Sequence, residues 1–81
     1  MRYKFRFFEI GRECAFHMVN FDSIPPALPI GSFIFLPYET KEGKDYEKFK
    51  IVAVETVLDD FAPQCFVIDY YVEWCYVEEE D

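Results

Sequence analysis

The chain reads RYKFRF over residues 2–7, and this stretch decides the fold class. Basic residues alternate with aromatic residues, and a period of two is typical of a β-strand with one buried face. A second run of this kind, QCFVIDYYVEWCYV, covers residues 64–77 and is the longest predicted strand. The sequence therefore predicts an all-β chain.

Three further strands are predicted between these two, at residues 14–21, 32–36 and 46–58. The interpretation of residues 12–21 stays open between strand and helix. We favour a strand, because aromatic and β-branched residues are frequent there and no helix-capping residue precedes them. Pro37 is expected to end the third strand, because proline cannot donate to a β-ladder.

The connections are short. Residues 22–31 read DSIPPALPIG, and three prolines within five residues exclude a helix and a central strand. We expect an extended loop there whose Ile24, Leu28 and Ile30 pack beneath the core. Residues 38–45 are predicted to form a charged loop, and residues 59–63 an acidic turn.

Five strands with short connections predict an antiparallel meander curled into a small barrel, since closure removes exposed sheet edges. Charge suggests one pairing. The first strand carries Arg2, Lys4 and Arg6 on one face, and the fifth carries Asp69 and Glu73. The two strands are therefore expected to lie side by side, so that opposite charges pair across them.

Length and composition indicate one domain: residues 1–77 as a single barrel and residues 78–81 as an acidic tail. Of the 81 residues, 52% are hydrophobic and 21% aromatic, which excludes disorder. Three cysteines do not form a disulfide framework. No secretory signal or membrane-spanning run is recognisable, so the sequence predicts a cytoplasmic protein that does not enter a membrane.

Charge is unevenly distributed along the chain. The net charge is −8, and residues 55–81 hold nine acids and no base. Such a surface repels nucleic acid and anionic membranes, so direct nucleic-acid binding is disfavoured. It can attract a basic protein instead.

No residue pattern indicates catalysis, a metal or a cofactor. Cys14 and His17 have an odd separation, which places them on opposite faces of a strand; only on a helix could they share a metal or form a dyad. Asp69 and Glu73 lie roughly 13 Å apart along a strand, whereas paired glycosidase carboxylates need about 5–9.5 Å. The chain is therefore predicted not to be an enzyme.

A familiar layout runs through the second half of the chain. Residues 29–36 read PIGSFIFL, residues 49–54 read FKIVAV and residues 66–73 read FVIDYYVE. This layout resembles the small SH3-like barrels that bacteria and their phages encode as short stand-alone proteins. The resemblance implies a small five-stranded barrel, and a fold of this kind carries no function by itself.

The favoured function is a non-catalytic protein-interaction module, such as an adaptor or accessory subunit, of phage or mobile-element origin. The candidate interface is the more polar face of the fifth strand, because tyrosine among acids suits a protein partner. Its residues are Val67, Asp69, Tyr71, Glu73 and Val77. The competing interpretation is that the loop at residues 24–28 covers this face. Surplus aromatic residues also favour a homodimer, made by pairing of the fifth strand with its copy.

The alternative function is an acidic inhibitor that mimics nucleic acid and blocks a basic groove on a partner protein. Acids spaced along a rigid strand can present charge where phosphates would lie. The candidate acidic surface comprises Asp59, Asp60, Asp69 and Glu73.

Overall fold

A computed structural model describes residues 2–23, 25–59 and 65–75, with the side chains of Leu58 and Asp59 excepted. These residues form five strands and no helix. The strands are β1 (Arg2–Glu9), β2 (His17–Phe21), β3 (Phe33–Thr40), β4 (Gly43–Asp59) and β5 (Cys65–Trp74). They make one sheet in the order β2-β1-β5-β4-β3, curled into a nearly closed barrel. The all-β, five-stranded barrel is confirmed.

One strand pair corrects the antiparallel prediction. β1 and β5 lie side by side, as charge suggested, but they run parallel, with Arg6 opposite Asp69. The direction follows from the strand number. In a meander, successive strands alternate in direction, so the first and fifth strands point the same way when the sheet closes on itself. The other three pairings are antiparallel.

The core lies inside the barrel and follows the alternation of each strand. Odd-numbered residues of β1 and even-numbered residues of β5 face inward, and they meet in register. The buried cluster comprises Phe5, Phe7, Leu36, Phe49, Ile51, Tyr70 and Val72. The alternation of β4 breaks at Val52, where the register with β5 shifts between Ile51 and Ala53. This shift is a β-bulge, which bends a strand and helps the sheet curl.

The barrel is incomplete between β2 and β3, which both lie at the edges of the sheet. At one end of this gap the ring of Phe16 packs against that of Tyr38, with centroids 5.5 Å apart. At the other end the proline-rich loop covers an apolar groove. Leu28 packs on the core, and its N–H donates to Tyr70 Oη at 3.1 Å. Ile30, in contrast, is 65% exposed, so its predicted burial is wrong; Ile24 lies outside the described residues.

β3 does not end at Pro37, and residues 38–45 are not a loop. β3 and β4 continue as a paired ladder to a turn of two residues, Lys41 and Glu42. Gly43 follows with φ of +121°, a conformation that side-chain-bearing residues rarely adopt. The predicted loop is therefore the paired end of the β3–β4 hairpin.

Pro37 is tolerated because of its place in the ladder. Thr40 and Gly43 close the two-residue turn, a geometry in which the closing residues form a hydrogen-bonded pair. Alternation then gives the residues of even number in β3 the bonds to β4. The bond from Ile51 N–H to O of the even-numbered residue Ser32, at 2.9 Å, agrees with this. The ring nitrogen of Pro37 accordingly points away from β4, to the unpaired edge of β3, where no donor is needed.

Residues 12–21 contain a strand and no helix. β2 begins at His17, three residues later than expected, and pairs antiparallel with β1 over Tyr3–Phe7. The segment before it turns the chain, and Gly11 has φ of +86°. Phe16 N–H then donates to Phe7 O at 2.9 Å, which aligns the chain for the hairpin.

Candidate interaction surface

The predicted interface on β5 is largely covered by the chain itself. Val67 is buried, and Asp69 is only 4% exposed. Arg6 Nε and Nη2 donate to the two carboxylate oxygens of Asp69 at 2.6 and 2.7 Å. A carboxylate held in this bidentate way is already neutralised by its own chain.

The remaining predicted interface residues differ in exposure. Tyr71 is half-buried; its ring stacks on Phe8 at 5.4 Å and its hydroxyl donates to Glu55 Oε2 at 3.0 Å. That hydrogen bond, with a smaller contribution from burial, raises the pKa of Tyr71. Glu73 is exposed, and Val77 lies outside the described residues.

The described part of the loop, residues 25–28, does not cover this face. Leu28 packs over Tyr70 on the core side of the sheet, whereas Val67 and Asp69 project from the other side. β5 is bonded to β1 along one edge and to β4 along the other. β5 therefore has no free edge over Cys65–Val72 for pairing with a copy of itself. The homodimer itself stays a prediction.

The candidate acidic surface is only partly described. Asp60 and the side chain of Asp59 lie outside the description, and Asp69 is paired with Arg6. Glu73 is exposed but lies opposite Lys50 in the β4–β5 ladder. Of the two acids whose side chains are described, Glu73 is exposed, whereas Asp69 is buried and paired.

A different surface is exposed, on the outer side of the β3–β4 hairpin. Phe33, Phe35 and Tyr46 are 55%, 63% and 67% exposed. They share one side because odd positions of β3 pair with even positions of β4. We call this surface the hairpin face; its residues are Phe33, Phe35, Lys44, Tyr46, Lys48 and Lys50.

The lysines of the hairpin face lie among its aromatic rings. Lys50 is opposite Phe33 and Lys48 is opposite Phe35. Lys48 Nζ also lies 4.4 Å from the ring centroid of Phe33, within the range of a cation–π interaction. Two acids border the surface, since Glu39 is opposite Lys44 and Glu73 is opposite Lys50. The hairpin face is thus a locally basic, aromatic patch on a chain of net charge −8.

Sequence reasoning missed this face for a physical reason. Residues 33–36 are all apolar, so alternation cannot show which two of them face the solvent. The sequence pattern that could have predicted the exposed side lies on the neighbouring strand, where Lys48 and Lys50 alternate with buried Phe49 and Ile51. An exposed lysine row predicts that the side chains directly opposite are exposed as well.

A cluster of three polar side chains, Glu9, Arg12 and Tyr38, lies at the end of the barrel where β1 ends. Tyr38 Oη donates to both carboxylate oxygens of Glu9 at 3.0 and 3.1 Å, and Arg12 Nε lies 3.8 Å from Glu9. Burial raises the pKa of Tyr38, and the hydrogen bond to Glu9 adds to the shift. This bond joins β1 to β3 across the barrel, so we assign it a structural role.

Cys14 and His17 do not form a reactive pair: Cys14 is exposed in the connection, whereas the ring of His17 stacks on Phe7 with centroids 6.0 Å apart. In the described part of the chain no three His, Cys, Asp or Glu residues group as metal ligands. No helix capable of crossing a membrane occurs among residues 2–23, 25–59 and 65–75.

Comparisons with protein-family models, curated proteins and solved structures give no match.

Proposed function

We propose that this chain is a non-catalytic protein-interaction module and that the hairpin face is its binding surface. The observation that supports this proposal is the grouping of three aromatic side chains, each more than half exposed, on one side of one hairpin. Clustered exposed apolar groups lower solubility and are typical of surfaces that bind a partner. Aromatic rings are also the residues that most often dominate binding energy.

The size of the face indicates the class of complex. If each ring offers about 120 Å² of its roughly 200 Å², covering three rings removes about 350 Å² of apolar surface. At about 25 cal/mol per Å² this gives close to 9 kcal/mol before any cost is counted. Association costs about 4–15 kcal/mol. The aromatic rings alone therefore support at most a transient complex, and tighter binding needs the lysines as well.

The hairpin holds these side chains in place before binding. The ladder between β3 and β4 is in register from Phe33–Lys50 to Thr40–Gly43, and the turn adds only two residues. Phe49 and Leu36, on the inner side of the same strands, are buried in the core. A surface anchored in this way loses little conformational freedom when it binds, which favours affinity.

The test is a comparison of matched variants. Wild type, Phe33→Ser with Phe35→Ser, and Met18→Ser with Ile30→Ser are tagged and incubated with lysate of the source cell. The second pair is the control, because Met18 and Ile30 are also exposed apolar residues but lie outside the hairpin face. Proteins retained by wild type are identified, purified and titrated against each variant, and circular dichroism checks the fold.

We expect one partner whose affinity falls at least about tenfold on the Phe33 and Phe35 change and stays within about twofold on the control. Equal losses in both variants, or no partner that depends on Phe33 and Phe35, would overturn the proposal. The adaptor role, the phage origin, the cytoplasmic location and the resemblance to SH3-like barrels stay predictions.

A further inference from the structure

We infer that the partner presents an extended peptide that is both apolar and acidic and that lies flat on the hairpin face. This inference rests on the proposed function and specifies the chemistry of the partner. It depends on three features: the order of charged and aromatic side chains on the hairpin face, the blocked edge of β3, and the two acids that border the hairpin face.

The first feature is a pair of parallel rows. Phe33 and Phe35 form one row on β3, and Lys44, Lys48 and Lys50 flank Tyr46 in the second row on β4. Side chains two residues apart on a strand are roughly 6.6 Å apart, and an extended peptide repeats at the same spacing. Such a peptide can place apolar side chains on the phenylalanine row, and its carboxylates can reach the lysine row about 5 Å away.

The second feature decides how the peptide lies. Addition of a strand to the open edge of β3 needs a continuous series of backbone donors. Pro37 interrupts that series, because its nitrogen has no hydrogen and lies at a position that points to this edge. The peptide therefore binds through side chains on the face, and only Phe33–Leu36 offers a short stretch of uninterrupted edge.

The third feature favours a peptide over nucleic acid. Exposed aromatic rings among lysines also suit single-stranded nucleic acid, whose bases stack on aromatic side chains. Here, however, Glu39 and Glu73 border the lysine row, and the whole chain carries −8. A polyanion meets repulsion from this field along its length, whereas a peptide with a few carboxylates meets it only locally.

The experiment is a selection from a random-peptide library displayed on phage, with the full-length chain immobilised. Selected peptides are synthesised, labelled and titrated against wild type and variants by fluorescence anisotropy. The charge variant is Lys48→Glu with Lys50→Glu. Its control is Arg2→Glu with Lys41→Glu, which changes the net charge equally at exposed positions outside the hairpin face. A labelled oligothymidylate is titrated in parallel.

We expect the selected peptides to combine acidic with apolar residues. Their affinity should fall at least about tenfold on the Lys48 and Lys50 change and less than about threefold on the control. A peptide with its acids replaced by lysine should reverse this order and bind the charge variant better than wild type. Phe33→Ser with Phe35→Ser should abolish binding of the original peptides.

The outcomes separate the two proposals. Neutral or basic peptides that still depend on Phe33 and Phe35 would overturn the acidic partner and leave the interaction module in place. Tighter binding of oligothymidylate than of any peptide, lost in both variants of the hairpin face, would show a nucleic-acid surface and overturn both. Peptides that bind independently of the hairpin face, or no enrichment at all, would also overturn both.

Discussion

Asp69 shows how much a single neighbour decides at the scale of one residue. In the sequence Asp69 and Glu73 are two acids on the same face of one strand, and both were expected to serve an interface. In the barrel Arg6 lies opposite Asp69 and holds both carboxylate oxygens, while Glu73 stays exposed near Lys50. Two acidic side chains that look alike in the sequence therefore have different roles: Asp69 is structural, and Glu73 is part of the surface.

The Arg6–Asp69 pair should contribute to stability chiefly because Asp69 is buried. Replacement of Arg6 by Leu leaves a buried carboxylate without its donors, and we expect the free energy of unfolding to fall by about 3 kcal/mol. This lies at the low end of the range for buried pairs, because the side chain of Arg6 is 35% exposed. Urea unfolding followed by circular dichroism measures the change.

Two further variants identify the cause of that loss. Arg2→Leu removes an exposed cation from the same strand and should cost at most about 0.5 kcal/mol. Arg6→Leu combined with Asp69→Leu removes both charges and should recover most of the lost stability. A double variant as unstable as Arg6→Leu alone would show that packing, and not the unpaired carboxylate, causes the effect.

Tyr38 predicts a dependence of stability on alkaline pH. In the folded chain its pKa lies above the ordinary 10.0, because burial, and then the hydrogen bond to Glu9, favours the protonated phenol. Below pH 10 the phenol is protonated in the folded and unfolded chains, so its contribution to stability is complete. As the pH rises from 10 through the folded pKa, the unfolded chain releases this proton first, and the contribution is lost.

The measurement compares wild type with Tyr38→Phe, which lacks only the hydroxyl. At neutral pH the variant should be less stable by about 1 kcal/mol, the usual net value of one hydrogen bond. Above pH 10 the difference in the free energy of unfolding should shrink towards zero. A difference that stays constant from pH 7 to pH 11 would contradict the assignment, since every other titrating group is common to both chains.

At the scale of the element, β3 combines an exposed edge with a means of protecting it. A row of unpaired backbone groups invites pairing with another chain, and a proline on the edge is one way in which natural sheets prevent this. Pro37 stands in the middle of β3 and removes the donor at its position. We therefore expect Pro37 to keep this protein from associating edge to edge, and not to end the strand.

Replacement of Pro37 by Val tests this role. Valine suits a strand and restores the outward N–H, so the variant should fold at least as well and should form dimers or larger species as concentration increases. Sedimentation velocity over a concentration series measures the association. Pro26→Val, in the exposed loop, is the control and should behave as wild type. Equal association of both proline variants would indicate that the edge of β3 is not the cause.

The same element shows what a sequence can and cannot predict. Alternation in β1 and β5 identified both strands, and charge identified them as neighbours, because one face of β1 is basic (Arg2, Lys4 and Arg6) and one face of β5 carries acids. The predicted extent of β3 was wrong. Proline ends a strand only where its missing N–H is needed for pairing, and the local sequence does not show which edge of β3 is unpaired. The hairpin face was missed because Phe33 and Phe35 differ from Ile34 and Leu36 only in the side to which they point, and pairing with β4 decides that.

At the scale of the whole molecule, closure and charge govern association. An odd number of strands brings β1 against β5 in parallel, which occupies both edges of β5 and leaves β2 and β3 as the edges of the sheet. The exposed aromatic rings of the hairpin face then lie beside one of these edges. With a net charge of −8, long-range repulsion between copies opposes contact between two such faces at neutral pH.

Lowering the pH towards the isoelectric point should therefore reveal self-association. The sequence isoelectric point is about 4.5, where repulsion between copies vanishes and exposed apolar groups can meet. Light scattering should show the mean mass of wild type increasing between pH 7 and pH 4.5. The mass of Phe33→Ser with Phe35→Ser should stay at its neutral-pH value over this range, and Met18→Ser with Ile30→Ser should behave as wild type. If all three chains associate alike while circular dichroism shows them folded, the hairpin face is not the surface through which copies meet, and loss of charge alone explains the association.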